Sequence, residues 1–203
     1  MSARILMTGS RSFTDAQIAE DALNAALVLV GAGESVRTIT TASDTTAARP
    51  SPGTLVHGAA QGADMLLAAV AERLGMATEA HPARWNEHTE TCPDWDRKNA
   101  TCKLAGFRRN AEMIRSGVRL CLAFPTHPQA LAPGQDRRNT SRGTWNCAEE
   151  ASKAGIATFV VWGDSLFPFG GIAAELLSAQ ARLKRLELGP QGSLRTMDVY
   201  LPF

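Results

Sequence analysis

Residues 55–75 read LVHGAAQGADMLLAAVAERLG. A short apolar run stops at His57-Gly58. Small residues and a second glycine, Gly62, follow, and an apolar-rich stretch begins at Asp64 and closes at Gly75. A buried strand, a turn with almost no side chains and a helix satisfy this order. Small residues between strand and helix let a ligand or another backbone come close. A helix that starts there offers free N–H groups and the positive end of its dipole, which suits a phosphate.

Outward from that stretch the same unit recurs. RILMT (4–8) is a strand stopped by Gly9-Ser10, and residues 13–30 form a helix with Thr14 or Asp15 as N-cap. Residues 36–53, VRTITTASDTTAARPSPG, are rich in Thr, Ser, Ala and Pro; 36–41 could be an extra strand and the rest a surface insertion. The strand at 54–57 is followed by a helix over about 61–74 and a strand over 76–80. Residues 85–103 have no clear period. Helix 105–116, strand 119–124, a polar loop over 125–143, helix 144–154 and strand 156–162 complete the alternation. The tail from Gly163 holds one helical stretch, about 172–186, and a final VYLPF. This order specifies an α/β domain with a mainly parallel sheet of about five or more strands, covered on both faces in three layers. Residues 1–163 form that domain, with insertions at about 37–53, 86–103 and 126–140, and 164–203 form a C-terminal extension that packs on it or in an interface.

The bulk properties narrow the partners. The net charge of +1, from 21 Lys+Arg against 20 Asp+Glu, lacks the basic footprint of a nucleic-acid binder. No apolar run reaches the roughly 18 residues of a membrane span, and MSARILMTGS turns polar too quickly for a secretory signal. The expectation is a cytoplasmic protein with Cys92, Cys102, Cys121 and Cys147 as reduced thiols or metal ligands.

In parallel sheets ligands bind beyond the carboxyl ends of the strands. There stand Gly9-Ser10-Arg11, His57-Gly58-Ala59-Ala60-Gln61-Gly62-Ala63-Asp64, His81-Pro82-Ala83-Arg84-Trp85 and Ser141-Arg142-Gly143-Thr144. Ser10, Arg11 and Thr144 supply two hydroxyls and a guanidinium fork, and Gly143-Thr144 opens a second helix. Two helix N-termini over one crevice suit a nucleotide-like ligand. Glycine turns are also ordinary in any α/β fold, so the spacing alone leaves the question open.

GSRSF, VHGAAQGAD, HPARW, AGFRRNAEM and SRGTWNCAEEASKAGI, in this order, make the chain resemble the SLOG superfamily (the DprA/Smf and LOG proteins), and within it the YspA-type branch, over residues 4–162. The resemblance implies a Rossmann-like sheet that binds nucleotides, ADP-ribose-like molecules or other nucleotide derivatives. Some relatives are enzymes: LOG proteins cleave the N-glycosidic bond of nucleoside monophosphates with a helix arginine and a glutamate three positions after a Gly-Thr. Arg109-Asn110-Ala111-Glu112-Met113 matches the arginine helix, and Ser141-Arg142-Gly143-Thr144 is similar to the second loop. Three positions after Thr144, however, stands Cys147. Cleavage needs a carboxylate, which leaves Asp64 and Glu149 as candidate acids beside Arg109.

Each residue has a plainer role too. Asp64 either acts as the acid, binds a ribose hydroxyl or caps its helix. Arg108 and Arg109 form a solvated face unless one of them meets phosphate. Asn110 bonds a base or sugar, or caps a turn. Trp85 stacks on a base or joins the core. His57 orients backbone or acts as a base. His88, Cys92 and Cys102 could supply three ligands to a structural zinc, with a fourth from His81 or Cys121, although no C-x-x-C pair is present. The expected function is binding of a phosphate-bearing nucleotide derivative as a sensor, carrier or sequestering protein, with no obligatory cofactor. A phosphoribohydrolase is the alternative, and single-stranded DNA binding, with Arg137-Arg138 and Arg142 on one loop, is a third. A homo-oligomer, as relatives often form, is the expected assembly.

Overall fold

The computed structural model describes residues 3–35, 53–126 and 140–188. Its elements are β1 (Arg4–Gly9), α1 (Ala16–Ser35), β2 (Thr54–His57), α2 (Ala63–Arg73), β3 (Ala77–Ala80), α3 (Asp94–Arg97), α4 (Ala105–Arg115), β4 (Leu120–Phe124), α5 (Arg142–Lys153), β5 (Ala157–Trp162), β6 (Ser165–Phe169) and α6 (Gly171–Leu188). The proposed strand at 36–41, the final VYLPF and most of the insertions at 37–53 and 126–140 lie outside the described residues.

The sheet runs β3-β2-β1-β4-β5-β6, parallel throughout except for β6. The inner strands β1, β2, β4 and β5 are near-continuous apolar runs because both faces are covered, while the edge strand β3, Ala-Thr-Glu-Ala, is partly exposed. Alternate residues serve opposite layers. Ile5, Met7, Leu55, Leu122 and Phe159 pack with Leu23 and Ala26 of α1, Leu67 and Val70 of α2 and Ala173 of α6. Leu6, Val56 and Cys121 face the other way, against Met113 of α4 and Cys147 and Ala151 of α5. Fully burying one such aliphatic side chain contributes about 1.5–3 kcal/mol. This is the three-layer α/β/α arrangement expected from the alternation.

Asp15 is the N-cap of α1: its Oδ1 accepts from the N–H groups of Gln17 and Ile18, each at 3.0 Å. β6 departs from the expectation, since the tail from Gly163 is read as carrying only a helix. It forms a tight hairpin with β5, Trp162 opposite Ser165, turning at Gly163-Asp164. Gly163 sits at φ +58°, as such a turn requires. Pro168 disguises the strand, and an edge position tolerates it. The segment begun by this hairpin continues into α6, which packs on β5, β6 and α1.

Candidate functional site

Strand order reverses between β1 and β4, so the crevice beyond their carboxyl ends is the topological switch point. Its floor is built of hydroxyls. Ser10 Oγ lies 2.8 Å from Ser12 Oγ and 3.2 Å from Thr126 Oγ1, which lies 2.9 Å from Ser141 Oγ. Ser10 is also tied by its backbone: its N–H donates to Phe124 O (2.8 Å), and its carbonyl accepts from Ala63 N–H (3.1 Å) at the start of α2. Gly9 permits that approach, because a Cβ there would collide with Ala63 Cβ.

The glycine stretch 58–62 is held by three side chains. His57 Nδ1 accepts from the Ala59 N–H at 3.3 Å, which fixes the proton on Nε2 when the ring is neutral, and Ala59 takes a left-handed φ of +53°. Asp64 Oδ2 accepts from Ala60 N–H at 3.1 Å. Arg109 donates through Nη1 to Gly58 O, and a Cβ on Gly58 would occupy the guanidinium's place. Gly62, at φ +84°, has the Arg11 backbone where its side chain would be. Its lack of a side chain therefore serves the contact between the first loop and α2.

The crevice is a cleft of about 470 Å³. Gly9, Ser10, Arg11, Asp64, Trp85, Arg109, Asn110, Arg142, Gly143 and Thr144 all line it. Gly58 and Ala59 line an adjoining hollow of about 350 Å³, which shares Arg11, Ala60, Trp85 and Arg109 with the first. His57 lines neither, and its Nδ1 is engaged within the turn by the Ala59 N–H. Glu149 lines neither, being on the part of α5 that leads away from the crevice, and Cys147 is fully buried in the core. Of the two adjacent arginines, Arg109 faces the cleft, while Arg108 turns to Cys92 and Cys102. Asn110 is 2% exposed and acts as a strut. Its Nδ2 donates to Gly143 O and Asn146 Oδ1, both at 3.1 Å, and its Oδ1 accepts from Arg109 Nε at 3.1 Å.

Sequence reasoning passes over Ser12, Lys103, Phe107 and Thr126 as wall or floor, and places Ser141 in a ligand-end loop without giving it a role. Thr126 had a signal, two residues beyond the carboxyl end of β4. Lys103 had none, since it ends a stretch without periodicity. Four cations (Arg11, Lys103, Arg109, Arg142) surround the cleft, and Asp64 is the one carboxylate among the described lining residues. Neither Gly62 nor Ser141, the N-caps of α2 and α5, caps its helix with a side chain. The α5 end borders the crevice through Ser141, Arg142, Gly143 and Thr144 and presents its dipole there, whereas at the α2 end the Ala63 N–H donates to Ser10 O and Asp64 is the residue that reaches the crevice.

Burial pushes the Asp64 carboxyl above its ordinary range, opposed by the Ala60 N–H and by Arg109, whose Nη1 is 3.8 Å away. Burial likewise pushes His57 below its ordinary 6.5, with Asp64 opposing. An unfolded chain then binds more protons than the folded one just below pH 6.5, so the His57 contribution is complete above 6.5 and is lost as pH falls. His57→Asn keeps an acceptor for Ala59 and removes the titration. The wild type is expected to lose thermal stability relative to that variant between pH 7 and 5. Parallel melting curves across this range would contradict the assignment.

A second group of side chains lies outside the cleft. His88, Cys92, Asp96 and Cys102 bring one ligand atom each to within 4.8 Å of one another, an arrangement that can hold a metal. The sequence expectation of His81 or Cys121 as fourth member is corrected. His81 Nε2 is engaged by Glu79 at 2.8 Å, Cys121 is buried in β4 against Cys147, and Asp96 stands in the fourth place. Asp96 follows Cys92 by four residues and is carried inward by the short α3.

Fold and crevice define a Rossmann-like α/β domain with a cationic, hydroxyl-floored cleft at its switch point. The chain belongs to the YspA, cpYpsA-related SLOG family, whose model matches residues 3–88. It is 32% identical over 158 residues to the Gene 61 protein of Mycobacterium phage D29, covering 75% of this chain and 91% of that protein. No described helix is long and apolar enough to cross a membrane.

Proposed function

We propose that the chain binds a phosphate-bearing nucleotide or nucleotide derivative, ADP-ribose-like in size, in the cleft between β1 and β4, as a sensor, carrier or sequestering protein. The observation that carries this reading is the convergence of Arg11 and Arg109 on one crevice with the N-terminus of α5, which lacks a side-chain cap. A volume of about 470 Å³ lies in the range of small-ligand sites. Trp85, 45% exposed on the rim, offers a face for a base. In this reading binding needs no cofactor, and any metal held by the His88 group is structural, since none of its four residues lines the cleft.

A phosphoribohydrolase reading rests on Asp64, whose carboxyl is raised by burial and borders the cleft. Its Oδ2 already accepts from Ala60 and faces Arg109, and Glu149 does not supply a second acid. Binding without hydrolysis is therefore favoured. Denaturing the purified protein and weighing what it releases is the direct test. A nucleotide or ADP-ribose-like mass is expected. Release of free base from nucleoside monophosphates would transfer the assignment to the hydrolase. Affinity for single-stranded DNA that falls steeply with salt would transfer it to nucleic-acid binding.

A further inference from the structure

We propose that His88, Cys92, Asp96 and Cys102 hold a structural zinc ion that staples the insertion between β3 and α4. The three ligand types are those zinc takes from proteins, and the four residues are the number a closed structural site uses. The spacing fits. Two thiolates each about 2.3 Å from a tetrahedral ion stand about 3.8 Å apart, and the two Sγ atoms are 3.6 Å apart. Cys102 Sγ is 3.2 Å from Asp96 Oδ2, which is 3.8 Å from His88 Nδ1.

The histidine carries the argument further. His88 Nε2 donates to the Asn99 carbonyl at 3.1 Å, which leaves the lone pair on Nδ1. That Nδ1 is buried without a hydrogen-bond partner and points at a carboxylate oxygen. Two acceptors that face one another in a buried place call for a cation between them, and a ligating histidine usually gives its other N–H to a carbonyl in this way. The surroundings match. Arg108 Nη1 donates to both sulfurs (3.1 and 3.0 Å), Thr89 N–H to Cys92 Sγ (3.3 Å), and Lys103 N–H to Asp96 Oδ1 (3.0 Å). With two thiolates, one carboxylate, neutral His88 and cationic Arg108, a divalent ion leaves the site electrically neutral. Binding zinc to the two thiols releases two protons, and no bond within the protein is oxidised.

The ion would fix the rim of the cleft. Cys102 N–H donates to Trp85 O at 2.7 Å, and the next residue is Lys103. The metal assignment is nevertheless independent of the nucleotide reading, because its readouts are metal content and backbone protection.

Full-length wild type, purified under reducing conditions from zinc-supplemented cells, is expected to carry about one zinc per chain. Asp96→Ala and Cys102→Ser are expected to lose it, and His81→Gln to keep it. Because a ligand variant can fail to fold, metal-stripped wild type is also titrated with Co²⁺. A near-ultraviolet thiolate-to-cobalt band with visible d–d bands of a tetrahedral ion is expected. Trypsin should cut the stripped protein first between Trp85 and Lys103, and the zinc form there last. Zinc-free wild type, cobalt uptake without a thiolate band, a Cys92–Cys102 disulfide in the fresh protein, or loss of zinc in His81→Gln would each overturn the site.

Discussion

Arg109→Ala is expected to weaken binding of the nucleotide ligand by about 10- to 100-fold, the range set by losing hydrogen bonds of about 1.5–3 kcal/mol to a charged group. The guanidinium stands where the cleft meets the hollow behind it, and Gly58 is bare to receive it. The fold should survive. Arg109 belongs to no apolar cluster, and Asn110 retains its bonds to Gly143 and Asn146. Removing Arg109 also takes from Asp64 a charge that holds its carboxyl down, so that group rises further and takes up a proton closer to neutral pH. Arg109→Lys keeps the charge and loses the fork, and should fall between the two. Calorimetry with the ligand released from wild type, beside a thermal melt, checks this. Unchanged affinity in folded Arg109→Ala would remove the phosphate assignment.

Gly62→Val is expected to cost about 3 kcal/mol or more, and to lower Tm by about 6–12 °C for a chain of this size. Two causes add. A β-branched residue is strained at φ +84°. The new Cβ would also fall on the backbone of Arg11, so the loop after β1 must move off α2, with loss of the Ser10–Ala63 hydrogen bond. Binding should fall with it, because Ser10 and Arg11 move. Gly75→Val is the control: Gly75 has φ +75° with nothing within 4 Å of a Cβ. It feels the strain without the collision. Equal losses in the two variants would show that the approach of Arg11 contributes nothing.

The reading of Gly62 shows where sequence reasoning stops. The residues 58–62 announce that something comes close to the backbone, and that is correct. The sequence suggests a ligand. In the folded chain the close neighbours are a guanidinium at Gly58 and the Arg11 backbone at Gly62. The cleft itself lies to one side, over Ser10 and Ser141. The two arginines repeat the lesson. Arg108 and Arg109 are equivalent as letters, and a helix turns successive side chains about 100° apart, so only the placement of α4 separates a cleft residue from a partner of two cysteines.

By itself the sequence determined the alternation of strands and helices, the parallel sheet, the family and most of the cleft lining. These follow from apolar runs, caps and strand ends, which are local and legible along the chain. β6 escaped because a proline and an edge position blur its pattern. Only the tertiary structure decided which acid and which arginine meet, that Asp96 completes the His88 group, that Cys147 is core and that Glu149 stands apart. The Arg109–Gly58 contact joins residues 51 apart, and the Thr126–Ser141 contact residues 15 apart. The distance along the chain says nothing of such neighbours. They are set by how the layers pack.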